Sequence, residues 1–150
     1  MAIGQSRLHT MLKKGRIMSE AVAWFESFTP KTKRELLDLI REDQLRSKGI
    51  DGNGDIIGLY SFATELITNG EKEEGTPYTF YDEGDFFRSM FIKVFSTRFE
   101  FHADGEKEED NLFDKYGNEI IRYTDENLDK IKAILRQSYI NYVRRILFES

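Results

Sequence analysis

The longest uninterrupted helical pattern in this 150-residue chain follows Thr124. Thr124 is a typical N-cap residue, and Asp125 and Glu126 fall in the first turn, where the helix dipole favours negative charge. The pattern predicts one long amphipathic helix that ends near Phe148, and such a helix needs a large apolar surface in the rest of the chain to pack against. Its apolar residues recur at three- and four-residue spacing: Leu128, Ile131, Ile134, Leu135, Tyr139, Tyr142 and Ile146.

The beginning of the chain carries two further helical patterns. Residues 6–28 have helical spacing that Gly15 interrupts, which predicts either two short helices or one helix with a weak point. Thr29 and Pro30 suit the N-cap and the first position of a second helix, and Gly49 is well placed to end it.

The middle of the chain changes to turn residues and strand-like alternation. Ile56–Tyr60 follows the turn-forming residues 51–55 and predicts a short strand. Alternating side chains in Phe91–Phe95 and Phe99–His102 predict an antiparallel β-hairpin. Residues 61–69 fit a short helix or an extended segment equally well, so the pattern leaves both open.

Two short helices and two surface loops complete this prediction. Residues 82–89 predict a short helix with Asp82 near its cap, and residues 111–116 predict another that leads to Gly117. Loops 70–77 and 104–110 are rich in acidic and turn-forming residues and are expected at the surface.

These patterns together predict the α+β class, with N-terminal helices, a central antiparallel hairpin or small sheet, and a long C-terminal amphipathic helix. No linker is long enough to divide the chain, so residues 1–150 are expected to form a single domain. Within it, residues 1–49 form a helical segment and residues 50–150 form an α+β body.

Composition excludes several functional classes. The chain has no cysteine, and its two histidines are His9 and His102, which excludes thiolate sites and multi-histidine metal sites. The sequence contains no run of 18 apolar residues, so it predicts no membrane-spanning helix. Residues 51–116 contain 16 acidic and 6 basic side chains, the opposite of the balance that a nucleic-acid groove requires.

One turn resembles part of a calcium loop. Residues 51–55 have the spacing of the first three oxygen ligands of an EF-hand, but Ile56 and Phe62 stand where that loop needs glycine and glutamate. A polar turn is therefore the better-supported interpretation, and weak calcium binding is the alternative.

No constellation of residues specifies a catalytic or cofactor site. The carboxylates of Asp82, Glu83 and Asp85 form an enzyme alternative that requires a concave pocket around them, whereas charge runs beside turn residues are usually solvated surface. No cofactor is expected. The aromatic residues around the hairpin are expected to divide between the core and partner contacts.

Residues 81–89 resemble a motif of phage tail-completion, minor tail and Mu-like virion morphogenesis proteins, Asp-Thr-Gly-x-Leu-x-x-Ser. Gly84 and Ser89 match its spacing, Phe86 stands in place of leucine, and Glu83 stands in place of threonine.

A second similarity lies at Tyr116 and Gly117, followed by the terminal helix with Leu128. The arrangement over about residues 48–148 is closest to small proteins of crAss-like and other Bacteroidetes phages.

The resemblance implies a non-enzymatic virion protein that forms a ring of twelve or six copies of itself at the head–tail junction. Its neighbours would be the portal and other neck or tail proteins, and it would occupy the host cytoplasm during assembly. Genomic DNA would pass through the ring without specific binding, with acidic loops 70–76 and 104–110 facing it. The alternative is a phage-encoded regulator that binds a protein as a monomer or dimer. The residues expected to carry assembly are Asp82, Gly84, Phe86, Ser89, Tyr116, Gly117 and Leu128.

Overall fold

A computed structural model gives the architecture, and it describes residues 21–82, 84–95, 98–107 and 110–148. The fold is α+β, as predicted. In chain order the helices are α1 (Ala21–Glu26), α2 (Pro30–Asp38) with a π-helical continuation (Leu39–Lys48, the π segment), α3 (Phe62–Ile67), α4 (Asp85–Ser89), α5 (Leu112–Tyr116), a 3-10 turn (Asn118–Ile121) and α6 (Asp125–Phe148). The strands are β1 (Phe91–Val94), β2 (Phe99–His102), β3 (Glu106–Lys107) and β4 (Asp110–Asn111).

The second predicted helix is confirmed, with a change of winding inside it. The Thr29 hydroxyl accepts a hydrogen bond from the Thr32 amide at 3.1 Å, and Pro30 is the first helical residue. After Asp38 the chain continues as the π segment, and Gly49 ends it in the left-handed region with φ of 62°. The first predicted helix is described only from Ala21 onward, and its earlier part lies outside the described residues.

The predicted hairpin is also confirmed, and its register decides which rings enter the core. Ile92 pairs with Phe101 and Val94 pairs with Phe99, so all four side chains share the inward face of β1 and β2. On the other face Phe91 pairs with His102, and their rings stack with centroids 5.3 Å apart.

The predicted strand at Ile56–Tyr60 is wrong. This stretch forms only isolated bridges, from Ile56 to Ile50 and from Leu59 to Pro77. Its backbone hydrogen bonds go to two different parts of the chain. The Ile57 amide donates to the Gly49 carbonyl, while the Gly58 carbonyl accepts from the Tyr78 amide. A strand needs a continuous ladder to one neighbour, which two short contacts on opposite sides cannot supply.

Three smaller predictions are resolved or corrected. Residues 61–69 form the helix α3, because the Ser61 hydroxyl accepts a hydrogen bond from the Thr64 amide and caps it. The acidic loop 104–110 contains the short antiparallel pair of β3 and β4. Asp82 was expected near the cap of α4, but the N-cap residue is Gly84. The chain makes a left-handed turn there, with φ of 81°, which glycine adopts readily.

The long C-terminal helix is confirmed as α6, with 24 residues. Ile131 and Tyr142 are buried on it, whereas Leu128 is 41% exposed. No helix among the described residues is long and apolar enough to cross a membrane. The core consists of two clusters of buried side chains that share Ile92, Phe101 and Tyr123 at their margins. Their buried members are Leu37, Ile40, Leu45, Phe86, Phe87, Met90 and Ile120 in the first cluster, and Phe25, Phe28, Leu36 and Ile131 in the second.

Candidate functional site

Four of the seven predicted assembly residues line one cleft of about 510 Å³. These four residues are Asp82, Gly84, Phe86 and Tyr116. Most of the other lining residues are aromatic or charged: Tyr60, Lys72, Tyr78, Phe80, Tyr81, Asp85, Glu106 and Lys107.

The Asp82 carboxylate is the main charged group of the cleft, and it is ion-paired. Lys107 Nζ donates to Asp82 Oδ2 at 2.7 Å, and Lys72 Nζ donates to Asp82 Oδ1 at 3.4 Å. The hydrogen bond from Lys107, with the charges of both lysines, holds the pKa of Asp82 below its usual value. Asp82 is therefore ionised at neutral pH and acts as a charge that ties two loops together.

The concave pocket that the enzyme alternative requires is present, with Asp82 and Asp85 among its lining residues, and Glu83 lies outside the described residues. General acid catalysis needs a carboxyl group whose pKa is raised, and the pKa of Asp82 is lowered. Asp85 forms an ion pair with Arg88 on its own helix. The geometry supports charge pairing across the cleft better than proton transfer within it.

Gly84 and Phe86 have structural roles that their sequence positions suggested. With φ of 81°, Gly84 turns the chain into α4, and an added Cβ would lie 3.0 Å from Arg88 Nη1 and 3.2 Å from Tyr81 Cε2. The turn directs the buried ring of Phe86 into the first core cluster, where it contacts the Phe113 ring with centroids 6.1 Å apart.

Ser89 lies at the end of α4 and does not line the cleft. Its hydroxyl donates to the Phe86 carbonyl at 2.7 Å and accepts a hydrogen bond from the Asp104 amide at 2.9 Å. Ser89 therefore fastens α4 to the chain that leaves the hairpin.

Tyr116, Gly117 and Leu128 do not form a second site together. The Tyr116 ring packs edge-on against Phe80 with centroids 5.3 Å apart, and Gly117, with φ of 80°, ends α5. Leu128 instead lines a separate shallow cleft, together with Phe101 and Tyr123.

The sequence interpretation missed an exposed apolar stretch, residues 56–67, which we call the exposed segment. Five of its large apolar side chains are between 50% and 82% exposed: Ile56, Leu59, Phe62, Leu66 and Ile67. Phe62 and Leu66 are one helical turn apart on α3 and share a face. The four-residue spacing of Phe62 and Leu66 was the sequence signal for this apolar helix face, but it lay in a stretch that fitted both helix and strand.

The acidic loop 70–76 is held directly beside this exposed segment. Glu65 on α3 accepts hydrogen bonds from the Glu74 amide at 2.7 Å, through its carboxylate, and from the Gly70 amide at 2.9 Å, through its carbonyl. The Thr68 hydroxyl accepts another from the Lys72 amide at 3.2 Å. Exposed apolar and acidic side chains therefore lie side by side.

The turn that resembles a calcium loop uses its first carboxylate internally. Asp51 Oδ1 accepts hydrogen bonds from the amides of Asn53 at 2.8 Å and Asp55 at 3.1 Å, which is the geometry of a polar turn. Within the described ranges, no group of three or more His, Cys, Asp or Glu side chains could hold a metal ion.

Comparison with known proteins adds no relative to this description. No family model, no curated protein and no solved structure matches the chain.

Proposed function

We propose that this chain is a structural subunit of a tailed-phage virion that assembles into a ring at the head–tail junction. The exposed segment 56–67 carries the proposal. Large apolar side chains clustered on a surface are costly in water and mark protein–protein contacts. Five of them within twelve residues, each at least half exposed, suit a protein whose work is to bind its neighbours.

Further exposed apolar side chains, on α6, support a subunit with more than one neighbour. Tyr139, Ile140 and Phe148 on α6 are also exposed, on a different element from α3. A ring subunit needs one surface for the next copy and others for the proteins above and below it. Exposed apolar side chains on two separate helices are consistent with that requirement.

The resemblance of residues 81–89 to a motif of phage tail-completion proteins is the reason for proposing the head–tail junction as the position of the ring. The residues that carry the family resemblance serve the fold: Gly84 makes a left-handed turn, Gly117 ends α5 with positive φ, Phe86 packs in the core, and Asp82 joins two loops. Such roles favour a body held in a fixed shape for assembly. The acidic excess over residues 51–116 would let DNA pass without adhering.

The proposal is tested by infection with phage that carries Phe62→Ser and Leu66→Ser. Both side chains are more than half exposed, so the fold should remain while the contact is weakened. We expect lysates that contain DNA-filled heads without attached tails by electron microscopy. Phe91→Ser is the matched control, because Phe91 is 52% exposed on the outer face of the hairpin. Normal tailed particles at the wild-type titre in the double variant would contradict the proposal.

A protein-binding regulator remains the second candidate, because the exposed segment would equally serve a monomer that captures one host protein. In that case the double variant would alter the course of infection, but every particle formed would have its tail.

A further inference from the structure

The first 20 residues of the chain combine basic and apolar side chains. They lie outside the described residues, so their chemistry is taken from the sequence alone. Against a single acidic residue, Glu20, they contain four basic residues: Arg7, Lys13, Lys14 and Arg16. Their large apolar residues include Leu8, Met11, Leu12 and Ile17.

The exposed segment and its acidic loop have the complementary composition. Residues 55–74 contain five acidic residues and one basic residue. That basic residue, Lys72, is ion-paired with Asp82 at 3.4 Å. Glu71, Glu73 and Glu74 are exposed, and Glu65 holds their loop beside α3. The surface therefore presents apolar side chains next to negative charge.

We propose that residues 1–20 of one copy of this chain bind the exposed segment 56–67 and the glutamates of residues 71–74 on a second copy. This inference rests on the proposed ring, and it names the partner of the exposed segment. The apolar side chains of the two segments bury one another, while lysine and arginine pair with the glutamates. The inference assigns loop 70–76 to a subunit contact instead of the DNA channel.

The contact would join two different surfaces, which is the geometry that builds rings. A segment that binds an unlike surface on the next copy leaves its own receiving surface free for another copy, so the contact repeats until it closes. In the described fold, α1, where the first 20 residues join, packs through Trp24 and Phe25 in the second core cluster. α3 contributes no residue to either cluster, so its apolar side chains remain available to a neighbour.

The direct test is zero-length carbodiimide cross-linking of the full chain, mixed in equal parts as nitrogen-14 and nitrogen-15 forms. We expect links from Lys13 or Lys14 to Glu71, Glu73 or Glu74, with heavy–light pairs present in the proportion that random mixing gives. Links confined to light–light and heavy–heavy peptides would place the contact within one chain and overturn the inference. An absence of these links at high protein concentration would overturn it too.

Charge exchange provides the second measurement. One variant carries Lys13→Glu, Lys14→Glu and Arg16→Glu, and the other carries Glu71→Lys, Glu73→Lys and Glu74→Lys. Each alone should weaken self-association by about tenfold or more, because like charges then meet. Mixing the two variants should restore the assemblies that sedimentation velocity detects, since residues 1–20 of each variant then face glutamate or lysine side chains of opposite charge on the other variant. A control variant changes the same number of charges elsewhere: Glu35→Lys, Asp114→Lys and Asp129→Lys.

The outcomes separate this inference from the proposed function. If the charge variants assemble as the wild type does, or if mixing restores nothing, another surface or another protein occupies the exposed segment, and the virion proposal still stands. Absence of the chain from virions would instead refute the proposed function, whichever segments join its copies.

Discussion

Asn127 Nδ2 donates a hydrogen bond to Gln44 Oε1 at 2.9 Å, and both side chains are fully buried. Gln44 also accepts a hydrogen bond from the Thr124 amide at 3.0 Å and donates to the Arg122 carbonyl at 2.8 Å. Asn127 donates in addition to the Leu39 carbonyl at 3.1 Å. These bonds join the π segment to the beginning of α6, two parts of the fold that are about 80 residues apart in sequence.

Replacing Gln44 with methionine should lower the free energy of unfolding by about 2–3 kcal/mol. The methionine fills similar volume but leaves the Thr124 amide, the Arg122 carbonyl and one Asn127 Nδ2 hydrogen without their partner. The bonds of Thr124 and Arg122 are only partly buried, so each lost partner costs about 1 kcal/mol, the lower end of the usual range. Urea unfolding followed by circular dichroism measures the change. Gln137→Met, at an exposed position on α6, is the control and should stay within about 0.5 kcal/mol of the wild type. Equal effects of the two substitutions would contradict the stabilising role of the Gln44 hydrogen bonds.

Gly84→Ala should destabilise the chain more than Gly70→Ala. Both glycines have φ near 80°, so both alanines pay the same backbone cost, about 1 kcal/mol. At Gly84 the new methyl group also meets Arg88 and Tyr81, whereas at Gly70 nothing lies within 4 Å. Thermal unfolding of both variants measures the difference. Identical melting temperatures would show that the turn into α4 has room for a side chain.

The Asp82 carboxylate should titrate below its ordinary pKa of 3.8. Because the folded pKa is lowered, the stabilisation is present above that ordinary value and is lost as the pH falls through the folded pKa. The side chain is 57% exposed, so the ion pairs contribute less than about 1 kcal/mol. Carbon-detected NMR of the Asp82 carboxyl group measures its midpoint, which Lys107→Met should raise. An unchanged midpoint in that variant would contradict the pairing.

Tyr123→Phe should cost about 1 kcal/mol at neutral pH, because the Tyr123 hydroxyl donates to the Leu36 carbonyl at 2.6 Å. Burial raises the pKa of Tyr123 above its ordinary value of 10.0. The unfolded chain therefore loses that proton first as the pH rises, and the wild type loses stability above about pH 10. The difference in the free energy of unfolding between wild type and variant should therefore become smaller above about pH 10. Urea unfolding at pH 7, 10 and 11 measures it. A constant difference across these values would argue against burial of the hydroxyl.

Local signals made much of this fold predictable. Thr29 with Pro30, and Thr124 with its acidic first turn, cap their helices as expected, because capping depends on neighbours in sequence. The alternation in β1 and β2 was sufficient for the hairpin. Residues 56–60 are a short apolar run after turn-forming residues, which also fits a strand. A strand depends on a distant neighbour that a single sequence does not reveal.

The functional surfaces were less predictable for the same reason. The cleft brings Asp82 together with Lys72 and Lys107 from distant loops, and no local pattern encodes that meeting. The exposed segment 56–67 resembled core sequence, since apolar residues indicate burial by default. Ile57 packs against the first core cluster, and only the tertiary packing places Ile56, Leu59 and the apolar side chains of α3 outside both clusters.

The proposal that the chain is a subunit of a tailed-phage virion is tested most directly by mass spectrometry of purified virions. The amount of the chain is scaled to the portal protein in the same particles. We predict a fixed ratio that corresponds to twelve or six copies per particle, as a closed ring at the neck requires. Absence of the chain from mature particles, in lysates where it is abundant, would contradict the structural role and favour the regulator.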